Sequence, residues 1–267
     1  MIELGWFSTG NGEGSRGLLE NALHAIKNGN LDARIQFVFC NRGPGEQQGS
    51  DQFFEFVQEN NIPIVYVSSR DFAREHGKRL SEIRSEYDHA VIKQLEGFEP
   101  QLCMFAGYGL ITGPEICRRY TILNLHPALP GGPTGTWRQV IWQLIEKTAS
   151  ESGVMIHLAT ENVDQGPPIT YCSFPIQSKL FDAHWEGVQK SSVEIVRQEQ
   201  GDNYPLFQLI RQEQMRRERP LLIATLNAFA TGTLRLEQNQ LLDASGHSVS
   251  TLCLNEEVED MLTGKDN

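Results

Sequence analysis

A chain of 267 residues is long enough to bury a full core, as one large domain or a domain with an appendage. Its 23 Lys and Arg face 34 Asp and Glu, a net charge of −11, which speaks against a nucleic-acid surface or an anionic membrane, since both select basic patches. Five scattered cysteines, odd in number and without a Cys-x-x-Cys pair, speak against a disulfide framework and a zinc site; reduced thiols in a cytoplasmic protein are expected. Met1-Ile2-Glu3-Leu4 opens into a strand-like run without a basic region or cleavage site, so no signal peptide is expected. No apolar run reaches the roughly 18 residues that span a bilayer.

In chain order, residues 4–8 read as a short buried strand ending in a glycine-rich turn. Residues 17–28 are helical, with Leu18, Leu19, Ala22, Leu23 and Ile26 on one face. Strands follow at 35–40, 62–67 and 102–106, with helices at 53–60 and 81–95 between them. Residues 120–123 form a fifth strand. Near-continuously apolar strands alternating with helices indicate a doubly wound, mainly parallel α/β sheet of Rossmann type. Right-handed crossovers gather the loops after the strands along one edge, where ligands bind in open sheets.

Further on, a helix at 137–147 leads to strands at 153–158 and 169–174. Residues 178–218 are polar, rich in Gln, Glu and Arg, and read as a helical insert. An apolar helix resumes at 220–229, Thr233-Leu234-Arg235-Leu236 with Leu241-Leu242 suggests a terminal hairpin, and the tail from Asn255 is expected to fray. Without repeats or low-complexity linkers, a single domain over 1–267 is expected: an α/β core at 1–177, the insert at 178–218, and helix, hairpin and tail at 219–267.

The glycine cluster Gly10-Asn11-Gly12-Glu13-Gly14-Ser15-Arg16-Gly17 lies between the first strand and the first helix. Backbone N–H groups at a helix start cradle an anion where glycine allows close approach. Gly10, Asn11, Gly12, Gly14, Ser15 and Arg16 are therefore candidate phosphate ligands. Gly12, Gly14 and Gly17 also satisfy G-x-G-x-x-G, a dinucleotide pattern that asks for an acidic residue at the end of the second strand. Cys40-Asn41-Arg42 stands there instead, which disfavours NAD and leaves Arg42 as an opening for NADP. A merely structural tight turn is the third reading.

Asn124-Leu125-His126-Pro127 follows the fifth strand, and Asp164 lies in the turn Asn162-Val163-Asp164-Gln165-Gly166-Pro167. Alternate residues of an extended segment point the same way, so Asn124 and His126 share a pocket while Leu125 faces the core. A lone His is more often a hydrogen-bonded surface residue, and Asp near Gly is ordinary turn chemistry. Together, an amide donor, an imidazole and a carboxylate can move an acyl group without a covalent intermediate. Asn and His would stabilise the oxyanion and Asp would relay protons.

The pairing Asn-x-His-Pro with Asp-x-Gly-Pro resembles the active-site signature of the folate-dependent formyltransferases. The resemblance covers most of residues 1–176 and returns at 217–245. It implies a formyltransferase-like fold, 10-formyltetrahydrofolate as formyl donor, no metal, and Asn124, His126 and Asp164 as catalytic residues. Ser81-Glu82-Ile83-Arg84-Ser85-Glu86-Tyr87-Asp88 is similar to a Ser-Arg-x-x-Tyr-Asp helix of the family, which implies that Arg84 sits near a substrate phosphate; a solvated helix arginine is the plain alternative. Tyr108, Gly109, Leu110 and Ile111 occupy the folate-binding stretch, in a pattern closer to the branch acting on methionyl-tRNA. Residues 130–137 are atypical. The glutamate expected five residues before Pro220 on the acceptor's amine side falls on Met215, with Glu213 and Glu218 nearby but out of register.

The implied substrates are small molecules, with no nucleic acid or membrane partner, for a monomer or homodimer. Glycinamide ribonucleotide, of purine synthesis, is the first acceptor to consider. Another amine, such as a nucleotide-linked amino sugar, remains open. Methionyl-tRNA is disfavoured by the acidity of the chain and the lack of a basic carboxy-terminal module. From other classes, an NADP-dependent oxidoreductase and a regulatory protein that kept the fold without the activity also stay open.

Overall fold

The computed structural model describes residues 1–162 and 164–264, in two compact units. The first comprises residues 1–125, the described part of 158–167, and 226–247; the second comprises 126–157, 168–225 and the described residues from Ser248. In chain order the elements are β1 (Ile2–Ser8), α1 (Gly12–Lys27), β2 (Ala33–Cys40), α2 (Gln48–Glu59), β3 (Ile64–Tyr66), α3 (Ser69–Glu75), α4 (Arg84–Gln94), β4 (Leu102–Phe105), α5 (Pro114–Arg119) and β5 (Ile122–His126). They continue with α6 (Trp137–Glu146), β6 (Glu151–Leu158), β7 (Pro168–Pro175), α7 (Asp182–Lys190), α8 (Val193–Gln200), α9 (Pro205–Ala230), β8 (Leu234–Glu237), β9 (Gln240–Asp243), β10 (Leu252–Cys253) and α10 (Asn255–Thr263).

The strands of the first unit pair in parallel in the order β5-β4-β1-β2-β3. β1 lies between β2 and β4, and its Leu4, Trp6 and Phe7 are fully buried, as a strand covered on both faces must be. The chain first winds outward through β2 and β3, then returns to the other side of β1 with β4 and β5. The winding therefore reverses between β1 and β4, the place where open α/β sheets bind ligands. An aromatic core forms around Phe7, whose ring meets those of Phe37 and Phe105 edge-on at 5.7 and 5.5 Å. The α/β expectation holds, and the terminal hairpin is present as β8 and β9.

Two helices of this unit went unread in the sequence. α3 has no buried residue, and α5 is a single turn and a half opened by Pro114, so neither carries an apolar stripe. The helix expected at 81–95 is a 3-10 turn at Leu80–Glu82 followed by α4.

In the second unit β6 and β7 are antiparallel, with Val154 opposite Cys172, and β10 runs parallel to β7. The segment 178–218 is polar in composition yet packs into the core. Phe181, Trp185, Val196 and Tyr204 join Val140, Ile141, Leu144 and Ile145 of α6 in one buried cluster. Asp202 also accepts from Arg138 at 2.6 Å and from the Trp142 indole at 3.2 Å.

α9 does not start at Pro220. It begins at Pro205, where a missing N–H costs nothing, and runs on through Pro220. Its buried positions include Leu206, Phe207, Ile210, Gln214, Arg217 and Leu221. That is a helical period with a glutamine and an arginine in the apolar places, which hid it from a hydrophobicity reading.

The carboxy-terminal segment is docked up to Thr263. Leu254 N–H donates to Tyr171 O at 2.8 Å, Asn255 Oδ1 accepts from Ser173 N–H at 2.7 Å, and Glu259 pairs with Arg217 at 2.7 Å. Of the expected frayed tail, only residues 265–267 lie outside the described residues. Among the described residues no helix is long and apolar enough to cross a membrane.

Candidate active site

The glycine cluster straddles the loop after β1 and the first turn of α1, which starts at Gly12, earlier than the sequence suggested. Asn11 is the N-cap residue in extended conformation, and its side chain makes no capping bond. The N–H groups of the first turn have no partner within the helix, and at Gly12 they lie on exposed backbone. Gly12 has φ +78° with no atom near a would-be Cβ. Its glycine is thus required by conformation rather than by space. Ser15 is buried and donates a long 3.5 Å bond to Gly107 O, and the Arg16 guanidinium lies 4.8 Å over the Phe56 ring of α2.

Thr9, which the sequence reading passed over, joins the loops after β1 and β4 at the reversal point. Its N–H donates to Gly107 O at 3.0 Å, and its Oγ1 accepts from Gly109 N–H at 2.7 Å. Gly107 has φ +68°, and a Cβ there would lie 2.3 Å from Ser15 Oγ. The glycine turn and the 107–111 stretch are therefore one wall of the first unit. Within that stretch Tyr108 turns inward, stacking on Phe105 at 4.9 Å, and burial pushes its phenol above the usual range. Gly109 and Ile111 stay exposed.

Two residues beyond the stretch, Gly113 N–H donates to Asp88 Oδ2 at 2.8 Å. Asp88 is 1% exposed, and burial lifts its carboxyl to about 6, against the opposing pull of the Gly113 and Ile116 N–H groups and the charge of Arg84. Arg84 is half-buried at the start of α4. It makes no hydrogen bond or ion pair with the glycine turn among the described residues. Burial also holds the thiols of Cys40 and Cys172 up, to about 11 and about 12, so neither is a nucleophile at neutral pH.

β5 extends through Asn124 to His126, so both residues belong to the strand rather than to the loop after it. Asn124 is paired with Phe105 at the end of β4, beside the start of the 107–111 stretch. Leu125, expected in the core, is only half-buried. The Asp164 turn is carried by the first unit too: Ala159 N–H donates to Ile122 O at 2.7 Å, and Leu158 N–H to Pro167 O at 2.9 Å. Asp164 has φ +55°, a left-handed conformation that Asp tolerates better than most residues. Val163, its neighbour, lies outside the described residues.

In the second unit His126 is 3% exposed. Its Nε2 lies 3.0 Å from Pro133 O, and its ring meets that of the buried His157 edge-on at 6.1 Å. His157 also went unnoticed in the sequence, where it is one polar letter in an apolar strand. Ala128 N–H returns to His126 O at 2.9 Å, closing the turn after the imidazole. Asn124 thus precedes His126 by two residues on the same strand.

The formyl transferase family model matches residues 10–184, more than half of the chain. The chain belongs to the formyl transferase family. A phosphoribosylglycinamide formyltransferase of Saccharomyces cerevisiae is 28% identical over 167 residues, covering 58% of this chain and 76% of that protein. The Schizosaccharomyces pombe protein of the same name is 26% identical over 179 residues, covering 64% and 81%. Among solved structures, the phosphoribosylglycinamide formyltransferase of Coxiella burnetii superposes with a TM-score of 0.68 at 20% identity, covering 94% of this chain and 98% of that one. A formyltetrahydrofolate deformylase from Pseudomonas syringae shares the fold at TM-score 0.58, covering 90% and 65%.

Membership in this family displaces the nicotinamide reading. Arg42, on which that reading rested, donates to Gln47 Oε1 at 2.5 Å. Around the position where the family resemblance asks for a glutamate, Met215 is 44% exposed. Glu213 is paired with Arg217 at 2.5 Å, and Glu218 with Arg211 at 2.6 Å.

Proposed function

We propose that this formyl transferase moves the formyl group of 10-formyltetrahydrofolate to the primary amine of a small phosphorylated acceptor, glycinamide ribonucleotide. The observation that carries the reading is the Asn124-x-His126-Pro127 strand end within a chain of this family. The names of the two yeast relatives support the choice of acceptor.

In the reaction the acceptor nitrogen attacks the formyl carbon, and charge gathers on the formyl oxygen. The Asn124 amide and His126 donate to that oxygen. The carbon–nitrogen bond to the folate then breaks, and the proton lost by the amine goes to the departing folate nitrogen, with Asp164 as relay directly or through water. The acceptor's phosphate lies on the N–H groups around Gly10, Asn11, Gly12 and Gly14, with Ser15, Arg16 and Arg84 as further candidates. The folate lies along Tyr108, Gly109, Leu110 and Ile111, where backbone groups and the exposed Ile111 are the contacts on offer.

The test is turnover of purified chain with 10-formyltetrahydrofolate and glycinamide ribonucleotide, followed by mass detection of the formylated product. Formyl product that depends on both substrates is expected. Formate release independent of any amine would overturn transfer in favour of hydrolysis. Preference for a nucleotide-linked amino sugar or for methionyl-tRNA in the same assay would overturn the acceptor.

A further inference from the structure

We infer that Gln214 is a positioning residue for His126: its buried side-chain amide fastens the carbonyl of Pro127, the residue that follows the imidazole. Gln214 sits in the middle of α9, fully buried. Its Nε2 donates to Pro127 O at 2.8 Å and to Ser152 Oγ at 3.1 Å. The orientation of the amide is not arbitrary, because a proline carbonyl can only accept and so the nitrogen must face it. The neighbours of Gln214 along the buried face of α9 include Ile210 and Leu221. A primary amide in that row costs free energy unless its hydrogen bonds return it.

The fastened turn is short and its bonds are consecutive. Pro127 has no N–H of its own, so its carbonyl is the one backbone hydrogen-bonding group it brings to the turn. Ala128 N–H returns to His126 O at 2.9 Å, Gly132 N–H to Leu129 O at 2.8 Å, and the His126 ring meets Pro133 O at 3.0 Å. Gln214 thus holds the near end of a loop whose far end receives the imidazole's Nε2–H. Releasing Pro127 displaces the backbone of His126 and the acceptor of its ring together. For activity the inference rests on the proposed formyl transfer; for geometry it does not.

Gln214→Met keeps the length and bulk of the side chain and removes the donor. Per folded molecule, kcat is expected to fall by at least 10-fold and toward ~10²-fold, the cost of displacing a reacting group by about 1 Å. KM for both substrates should stay within about threefold, because no substrate contact is removed. Gln214→Glu, which faces the Pro127 carbonyl with acceptors alone once ionised, should lose more than Gln214→Met. In nitrogen-edited spectra the His126 ring signals should shift in both variants, while those of the exposed His24 and His247 stay in place. A loss carried by KM with unmoved His126 signals, or a Gln214→Met kcat within about twofold of the parent, overturns the inference. If the variants do not fold, the unaltered chain decides. Its Gln214 side-chain N–H groups should exchange with solvent far more slowly than those of exposed glutamines, and equally fast exchange overturns the clamp. Absence of formyl transfer in the unaltered chain would refute the proposed function and leave the ring signals to judge the positioning.

Discussion

His126 Nε2 lies 3.0 Å from the carbonyl oxygen of Pro133, and because that oxygen only accepts, the ring carries a hydrogen on Nε2 in either charge state. A hydrogen bond donated from Nδ1 to a developing oxyanion requires the charged ring, whereas the neutral ring offers only the Nε2–H that Pro133 already holds. Nitrogen-15 spectra of the neutral form should therefore report the Nε2–H tautomer. A dominant Nδ1–H tautomer would mean that the Pro133 contact is not a hydrogen bond, and that the ring is free to work the other way round.

The same geometry sets the cost of removing the donors. Asn124→Ala and His126→Ala should each lower turnover by about 10²–10³, the usual loss for one donor to an oxyanion. Asp164→Ala should be comparably impaired, through the proton relay. Asp164→Ala also places alanine at φ +55° and should lose some stability, so rates are compared per folded molecule. Two of the three retaining near-parental kcat would refute the assignment.

Thr9 supplies a subtler test, since its hydroxyl joins the glycine turn to the 107–111 stretch through Gly109 N–H at 2.7 Å. Thr9→Val preserves shape and deletes the acceptor. A net hydrogen bond of this kind is worth about 0.5–1.5 kcal/mol, so KM for the folate should rise roughly threefold to tenfold, with kcat less affected. An unchanged folate KM would place the folate away from this stretch.

Gly12→Val tests the other half of that wall. At φ +78° a β-branched residue is strained even though the space beside it is open. The first turn of α1 should therefore shift and weaken the phosphorylated acceptor by an order of magnitude or more. Separate dissociation constants for the two ligands check this: loss of folate alone, or equal loss of both, would remove the phosphate from the glycine turn.

What the sequence disclosed follows the strength of each local signal. The β1-to-β5 framework was readable because its strands are almost wholly apolar, and Asn124, His126 and Asp164 drew notice as candidates because turn residues mark them. Thr9, His157 and Gln214 were not readable. Each works through partners 100, 31 and 87 positions away respectively, and nothing in the adjacent residues announces such a bond. α9 was misread from Pro220 because Gln214 and Arg217 occupy core positions, Arg217 held there by Glu213 and Glu259 and stacked 4.5 Å over Phe174. The carboxy-terminal helix was missed for a related reason: α10 buries only Val258 and is held by polar bonds from Asn255 and Glu259.

Asp88 yields a prediction about stability and pH. Burial raises its carboxyl from an ordinary 3.8 to about 6, with Glu115 adding in the same direction and Arg84 and the Gly113 and Ile116 N–H groups opposing. Between those two values the folded chain holds a proton on Asp88 that the unfolded chain has released. Stability from this group is therefore complete below pH ~4 and declines as pH rises, until the carboxyl is ionised in both states above about 6. A shift of this size, at about 1.4 kcal/mol per unit, corresponds to a decline of about 3 kcal/mol. Asp88→Asn keeps an oxygen for Gly113 N–H and cannot ionise, so its stability lacks this decline. Urea midpoints for parent and variant at pH 4, 5, 6 and 7 should diverge steadily in the variant's favour as pH rises, with other titrating groups cancelling in the difference. Parallel profiles would show that Asp88 keeps an ordinary carboxylate in the folded chain, and that the Gly113 and Ile116 N–H groups outweigh its burial.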